Sequence, residues 1–185
     1  GGSGAQASLG IVPHHQPANT VGKNASDIAL VIDAMDLMHS GRFDGFVLVS
    51  SDSDFTRLAQ RIREQGNDVY GIGAKKTPEA FRMACKRFIY LENLGGGASE
   101  PTQAAPKKEE PSRGVQLVQN ALSDVEDEDG WAELGRVGTQ LGQRYPDFDP
   151  RSYGYRKLID LIRATGRYEI RSEGNAHYIR SKPRK

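Results

Sequence analysis

Apolar positions in the first half of the chain alternate between helical and strand-like spacing. Residues 26–39 (SDIALVIDAMDLMH) set Ile28, Val31, Met35 and Met38 on one face, with Leu30, Ile32, Ala34 and Leu37 thickening it. That pattern predicts a helix buried on most sides. Phe46-Val47-Leu48-Val49 reads as a short, wholly apolar strand. Helical spacing returns through Phe55, Leu58, Ala59 and Ile62, with Gly66 as its stop. Val69–Ile72 is a second strand, Thr77-Pro78 starts another helix with Thr77 as N-cap, and Phe88–Leu91 is a third strand. Apolar strands alternating with helices imply a parallel sheet covered on both faces.

The second half reads differently. Helices are expected around Val115–Leu122, from Trp131 to Gln143, and after an Asp149-Pro150 cap through Tyr155, Leu158, Leu161 and Ile162. Tyr168–Arg171 and His177–Arg180 follow as a hairpin. Three helices and a terminal hairpin describe a winged helix, with Trp131 expected in its core. Between the halves, Gly95–Ser112 holds Gly, Pro, Ala and charge but no large apolar residue, so it predicts a linker. The 21 Gly and 9 Pro of the 185 residues fit such a segment. The domain expectation is therefore 9–94, a linker over 95–112, and 113–182.

Net charge of +1 conceals an uneven distribution. Residues 1–94 carry 10 Lys and Arg against 10 Asp and Glu, whereas 131–185 carry 12 against 6. The basic C-terminal half points to a polyanion. A single cysteine, Cys85, excludes an internal disulfide and a Cys-based zinc site. No apolar run approaches a membrane span, so no membrane partner is expected and the default location is cytoplasmic.

Candidate chemistry gathers where the first strand ends. Phe46–Val49 runs into Ser50-Ser51-Asp52-Ser53-Asp54 and then a helix. In open parallel sheets ligands sit beyond the carboxyl ends of the strands. Two carboxylates there suit a hard cation such as Mg²⁺ or Mn²⁺. Asp27 opens the first helix, and Asp33 lies about 120° further round it. Each acid also has a structural reading, Asp52 as an N-cap and Asp27 as a first-turn acid. Lys75-Lys76 precede a helix start and could help hold phosphate. The phrase Asp52-x-Asp54-x-Thr56 invites comparison with haloacid-dehalogenase-type phosphatases, but there the first Asp follows its strand with no Ser-Ser spacer.

The stretch GKNASDIALVIDAMDLMHSGRFDGFVLVSSDSDF, with its Lys23-x-x-x-Asp27 helix start and strand-SSDSDF-helix, resembles the NYN domain, a PIN-like nuclease family also called LabA-like. The resemblance implies a Rossmann-like parallel sheet and an acidic site that binds Mg²⁺ or Mn²⁺ and hydrolyses RNA. Carried over by position, Asp27, Asp52 and Asp54 are the family-type acids and metal ligands, with Asp33 a fourth. The family's first strand brings a further Asp, yet residues 1–26 contain no Asp or Glu, and only Ile11-Val12 could serve as a strand. The expectation is a domain missing its first strand, weak or inactive as a nuclease, with an exposed sheet edge prone to self-association.

Gly130-Trp131-Ala132-Glu133-Leu134-Gly135 and the Ser152-Tyr153-Gly154-Tyr155-Arg156-Lys157-Leu158 stretch resemble the OST-HTH/LOTUS domain. That resemblance implies RNA binding, with a preference for structured G-rich RNA. Arg151, Arg156, Lys157 and Arg163 are expected on the third helix opposite its apolar stripe, and Arg167, Arg171 and Arg180 along the wing. Such clustered cations suffice for phosphate contact, and Tyr153 or Tyr178 could stack on a base. The leading expectation is an RNA-processing or RNA-silencing factor of bacterial type. A non-catalytic RNA-binding adaptor and a winged-helix DNA-binding regulator are the alternatives.

Overall fold

A computed structural model of the chain describes residues 25–94 and 111–183. It separates into two compact units, residues 1–43 and 44–185. The expected absence of a first strand, and most of the 95–112 linker, fall outside the described residues.

The first unit is described through helix α1 (Ala25–His39), which ends as Gly41 turns left-handed at φ +64°. Its pattern predicts burial on most sides, and this is corrected: Ile28, Leu30, Ile32 and Leu37 are 42–58% exposed. Periodicity reports how much apolar surface a helix carries, not how much of it is covered.

The second unit opens with β1 (Gly45–Val49), α2 (Thr56–Glu64), β2 (Asp68–Gly73), α3 (Glu79–Ala84) and β3 (Arg87–Tyr90). The strands form a parallel sheet in the order β1-β2-β3. Consecutive right-handed crossovers in that order put α2 and α3 on one face. Leu48, Val69, Phe88 and Tyr90 are buried there with Leu58, Ile62 and Phe81. On the opposite face Val47 and Val49 are 60% and 68% exposed, so within the described part of this unit one face is covered where two were expected. All-apolar strands allow two covers, but two same-handed crossovers supply one. β1 is the free edge among the described residues, where the expected self-association would act.

Two glycines let the layers approach. A Cβ on Gly71 would stand 2.5 Å from Phe88, and one on Gly73 would stand 2.4 Å from the Ser50 carbonyl and 2.7 Å from Thr77 Oγ1. Thr77 itself is not an N-cap. Its hydroxyl donates back to the Ala74 carbonyl (2.6 Å), and Pro78 caps α3 without a side-chain bond. With its φ set by the ring, Pro78 fits the cap position and leaves Thr77 to close the preceding turn.

The remaining elements are α4 (Pro111–Ser123), β4 (Trp131–Glu133), α5 (Leu134–Arg144), α6 (Leu158–Thr165), β5 (Tyr168–Glu173) and β6 (Ala176–Ser181). The antiparallel sheet runs β4-β6-β5, and the β5–β6 hairpin turns through Gly174-Asn175 with Gly174 at φ +57°. Val118, Leu122, Val137, Leu141, Ile162 and Ile179 form its core. Tyr168 joins them with its hydroxyl on the Val115 carbonyl (3.2 Å), and burial pushes its phenol up to about 12.

Two expectations change here. Residues 131–133 are a strand rather than a helix start, pairing Trp131 with Arg180 and Glu133 with Tyr178. Trp131 therefore stands half-buried on the outer sheet face, not in the core. The third helix is also split. Asp149 caps a short 3-10 turn (Pro150–Tyr153), left-handed Gly154 (φ +87°) breaks it, and α6 starts only at Leu158.

The α/β half and the winged helix dock within this unit. The β3 edge amide of Phe88 donates to the Pro146 carbonyl (2.8 Å). Asp147 accepts from Arg82 and from the Tyr90 hydroxyl (2.8 Å), while Arg82 also donates to Tyr90 (2.5 Å). Burial first, then the bond to Asp147, holds the Tyr90 phenol well above the ordinary tyrosine range. Asn93 donates to Ser152 (3.0 Å), and Arg151 reaches the Asn93 carbonyl (2.9 Å).

Candidate functional site

The carboxyl end of the parallel sheet is held by hydroxyls. After β1, the Ser50 amide continues the ladder to the Ile72 carbonyl (2.9 Å). Ser50 Oγ accepts from the Asp52 amide (3.1 Å), and Ser51 Oγ accepts from the Ala74 amide across the edge (2.8 Å). The Ser-Ser spacer thus has a structural task, which is to pin the acidic loop to the end of β2. Asp52 then caps the short 3-10 turn Ser53–Phe55, its Oδ1 accepting from the Asp54 amide (3.0 Å). The capping reading of Asp52 is realised. Both carboxylates are exposed, and that of Asp54 has no hydrogen bond or ion pair among the described residues.

The loop after β2 lies at the same edge and carries Lys75, half-buried, and Lys76, exposed. Glu92, just beyond β3, accepts the Lys75 amide through both carboxylate oxygens (3.0 and 3.1 Å). Sequence reasoning does not reach Glu92, because nothing local ties the end of β3 to the loop after β2. Even so, no three His, Cys, Asp or Glu side chains among the described residues form a group able to hold a metal. Asp27, in the first turn of α1, and Asp33 are both half-buried and belong to the other unit.

Asp52 Oδ2 and the two oxygens of Asp54 are hard anionic donors at a solvent-facing edge. Their chemistry fits a Mg²⁺-type ion, which commonly takes one or two carboxylates and completes its shell with water and substrate phosphate. Cys85 plays no part: it is buried, bonded to the Phe81 carbonyl (3.3 Å), and its thiol is pushed up to about 11 by burial.

The cations of the winged helix divide into engaged and free groups. Arg151 is not a free cation on the third helix. It clamps Asp149 through Nε (3.0 Å) and Nη2 (2.6 Å) while bracing Asn93. Burial raises Asp149, but the hydrogen bonds and charge of Arg151 together outweigh it and hold the carboxyl below its ordinary value. Arg180 pairs with Glu169 (2.5 Å) and Arg171 with Glu173 (3.0 Å). Both guanidiniums lie 4.8 Å from the Trp131 ring centre, and Arg171 lies 5.2 Å from Tyr178. Tyr153 is 5% exposed and tilted against Phe148, so it is core and not a platform for a base. The split of the third helix turns it inward. Arg156 and Lys157 precede α6, Arg163 sits in its last turn and Arg167 follows it. These four are exposed, with no acid partner among the described residues.

The α/β layer, with carboxylates at the carboxyl end of its sheet, is thus docked on a cation-rich winged helix. Family models make the assignment specific: the chain carries an NYN domain over residues 3–92, followed by an OST-HTH/LOTUS domain over residues 109–180. It is therefore an RNA-binding, nuclease-family protein by its domains, and NYN nuclease-type domains are generally metal-dependent. No curated protein matches the chain. Among solved structures, an uncharacterized protein of Nitrosomonas europaea, determined by NMR in solution, is 33% identical over 49% of this chain and 92% of its own. The TM-score of that match is 0.36. No helix among the described residues is long and apolar enough to cross a membrane.

Proposed function

We propose that the protein acts in RNA processing or silencing, with a Mg²⁺- or Mn²⁺-dependent endoribonuclease-type site at the carboxyl end of the sheet. The carrying observation is that Asp52 and Asp54 project from a loop pinned at that edge, in a domain of nuclease type joined to an RNA-binding one. Asp52 and Asp54 would hold the ion. When bound, such an ion acidifies a water and offsets charge on the phosphodiester. The chain's own part is to fix the carboxylates: the Ser50 and Ser51 hydroxyls and the Asp52 cap hold the loop before any substrate arrives. Arg156, Lys157, Arg163 and Arg167 are the cations we assign to RNA phosphate. Lys75 and Lys76, in the loop at the same sheet edge, are the cations we assign to phosphate beside the acids.

A second reading, a non-catalytic RNA-binding adaptor, is favoured by one observation: a capping role already accounts for Asp52. Cleavage of single-stranded RNA with Mg²⁺ or Mn²⁺ separates the two. Asp54→Asn should abolish metal-dependent cleavage with RNA binding unchanged. Asp52→Asn should do the same with little loss of stability, since Asn caps as well as Asp, within about 0.5 kcal/mol. RNA binding without cleavage by the unaltered chain would establish the adaptor instead.

A further inference from the structure

Between the α/β half and the winged helix lies an open-sided cleft of about 940 Å³. This is at the upper end of the roughly 300–1,000 Å³ usual for ligand clefts. Arg63, Lys86 and Arg87 line one wall, and every charged side chain lining the cleft is positive. Arg87 is exposed and has no acid partner among the described residues. Arg63 gives one N–H to the Ala84 carbonyl (3.2 Å) and keeps the rest. Lys86 pairs with Asp68 (2.6 Å), but both side chains are about half exposed, and such pairs exchange readily for other anions.

The opposite wall is the Gly138, Thr139 and Gly142 face of α5. These glycines are not required by internal packing. A Cβ on Gly138 would meet only Leu158, at 3.7 Å, and one on Gly142 would meet nothing within 4 Å. Each weakens the helix relative to Ala, because glycine gives up more backbone freedom on folding. What their bareness provides is room against the cations. Tyr70 and Phe148, both partly buried, add aromatic rings to the same cleft.

We propose that this cleft is a groove for the backbone of a single RNA strand, separate from the acid pair. The choice of RNA as the polyanion rests on the function proposed above. Cations facing a bare helix suit a phosphate chain, and aromatic faces suit unpaired bases better than they suit acidic side chains. The cleft adjoins the amino ends of β2 and β3, whereas Asp52 and Asp54 follow the carboxyl end of β1. Six-residue β2 spans roughly 17 Å at about 3.3 Å per residue, so the groove anchors RNA at a distance from the acids.

The test is fluorescence anisotropy of the full chain with a labelled single-stranded RNA across a salt series, and with poly-glutamate as competitor. Arg87→Glu should weaken RNA binding about tenfold and flatten the salt slope by about 0.7 for each phosphate it no longer neutralises. Gly142→Glu should weaken binding similarly while the melting temperature holds or rises, because it removes a helix glycine. If both groove variants bind RNA normally, the groove is wrong and the RNA reading stands. If the unaltered chain binds no RNA, the RNA reading itself falls and takes the groove's occupant with it. Displacement by poly-glutamate at equal charge concentration would replace RNA by an acidic peptide and overturn the proposal.

Discussion

The two ends of the parallel sheet carry opposite chemistry and are built by different means. At the carboxyl end the acids come from five consecutive residues, Ser50–Asp54, whose own hydroxyls and amides set the loop. At the amino end the cations come from the end of α2 and the start of β3, and the facing wall comes from a helix far along the chain. The first site can be found by reading along the sequence, since its geometry is mostly local. The second exists only because the winged helix docks on β3 through Pro146, Asp147 and Asn93.

That contrast predicts separable damage. The largest effect should come from Asp147→Ala, which leaves Arg82 charged and unpaired where the two side chains are only 14% and 18% exposed, with Arg82 Nε already lacking a partner. A loss of roughly 2–4 kcal/mol is expected in urea unfolding. The cleft should open, with RNA affinity falling more than metal affinity. An equal fall at both sites would mean that the two ends are one cooperative site.

Gly73→Ala should act at the carboxyl end alone. Its Cβ would press on the Ser50 carbonyl and Thr77, costing about 1–3 kcal/mol and displacing the loop that carries Asp52. Mn²⁺ affinity should drop while RNA anchoring through Arg87 persists, measurable by calorimetry and anisotropy on one preparation. The smallest effect is acid sensitivity of the Arg151 brace. The Asp149 carboxyl lies below its ordinary 3.8 in the folded chain, so its contribution is complete above that pH and fades as pH falls through the lowered value. Arg151→Ala should flatten that part of a stability-versus-pH curve, with far less change in its shape near neutral pH.

How far the site is legible differs residue by residue. Asp52 and Asp54 stand out because a strand ending in acids has meaning in any open parallel sheet. Glu92 does not, because only the neighbouring ends of β2 and β3 bring it to Lys75. Trp131 is misplaced by pattern because helical spacing from Leu134 back to Trp131 looks continuous, and only pairing with Arg180 makes those three residues a strand. Arg151 and Tyr153 are misassigned together: one left-handed glycine, Gly154, splits the helix on which periodicity puts both.

By itself the sequence determined the two modules, their order, the parallel and antiparallel character of their sheets, and the acidic loop. Each follows from local periodicity, turn chemistry and contiguous motifs. Tertiary structure decided which cations are free, which are braces, which aromatic rings face solvent, and that a charged cleft opens between the halves. Those outcomes depend on partners distant in the chain, and local pattern carries no record of which distant group will satisfy a charge or cover a face.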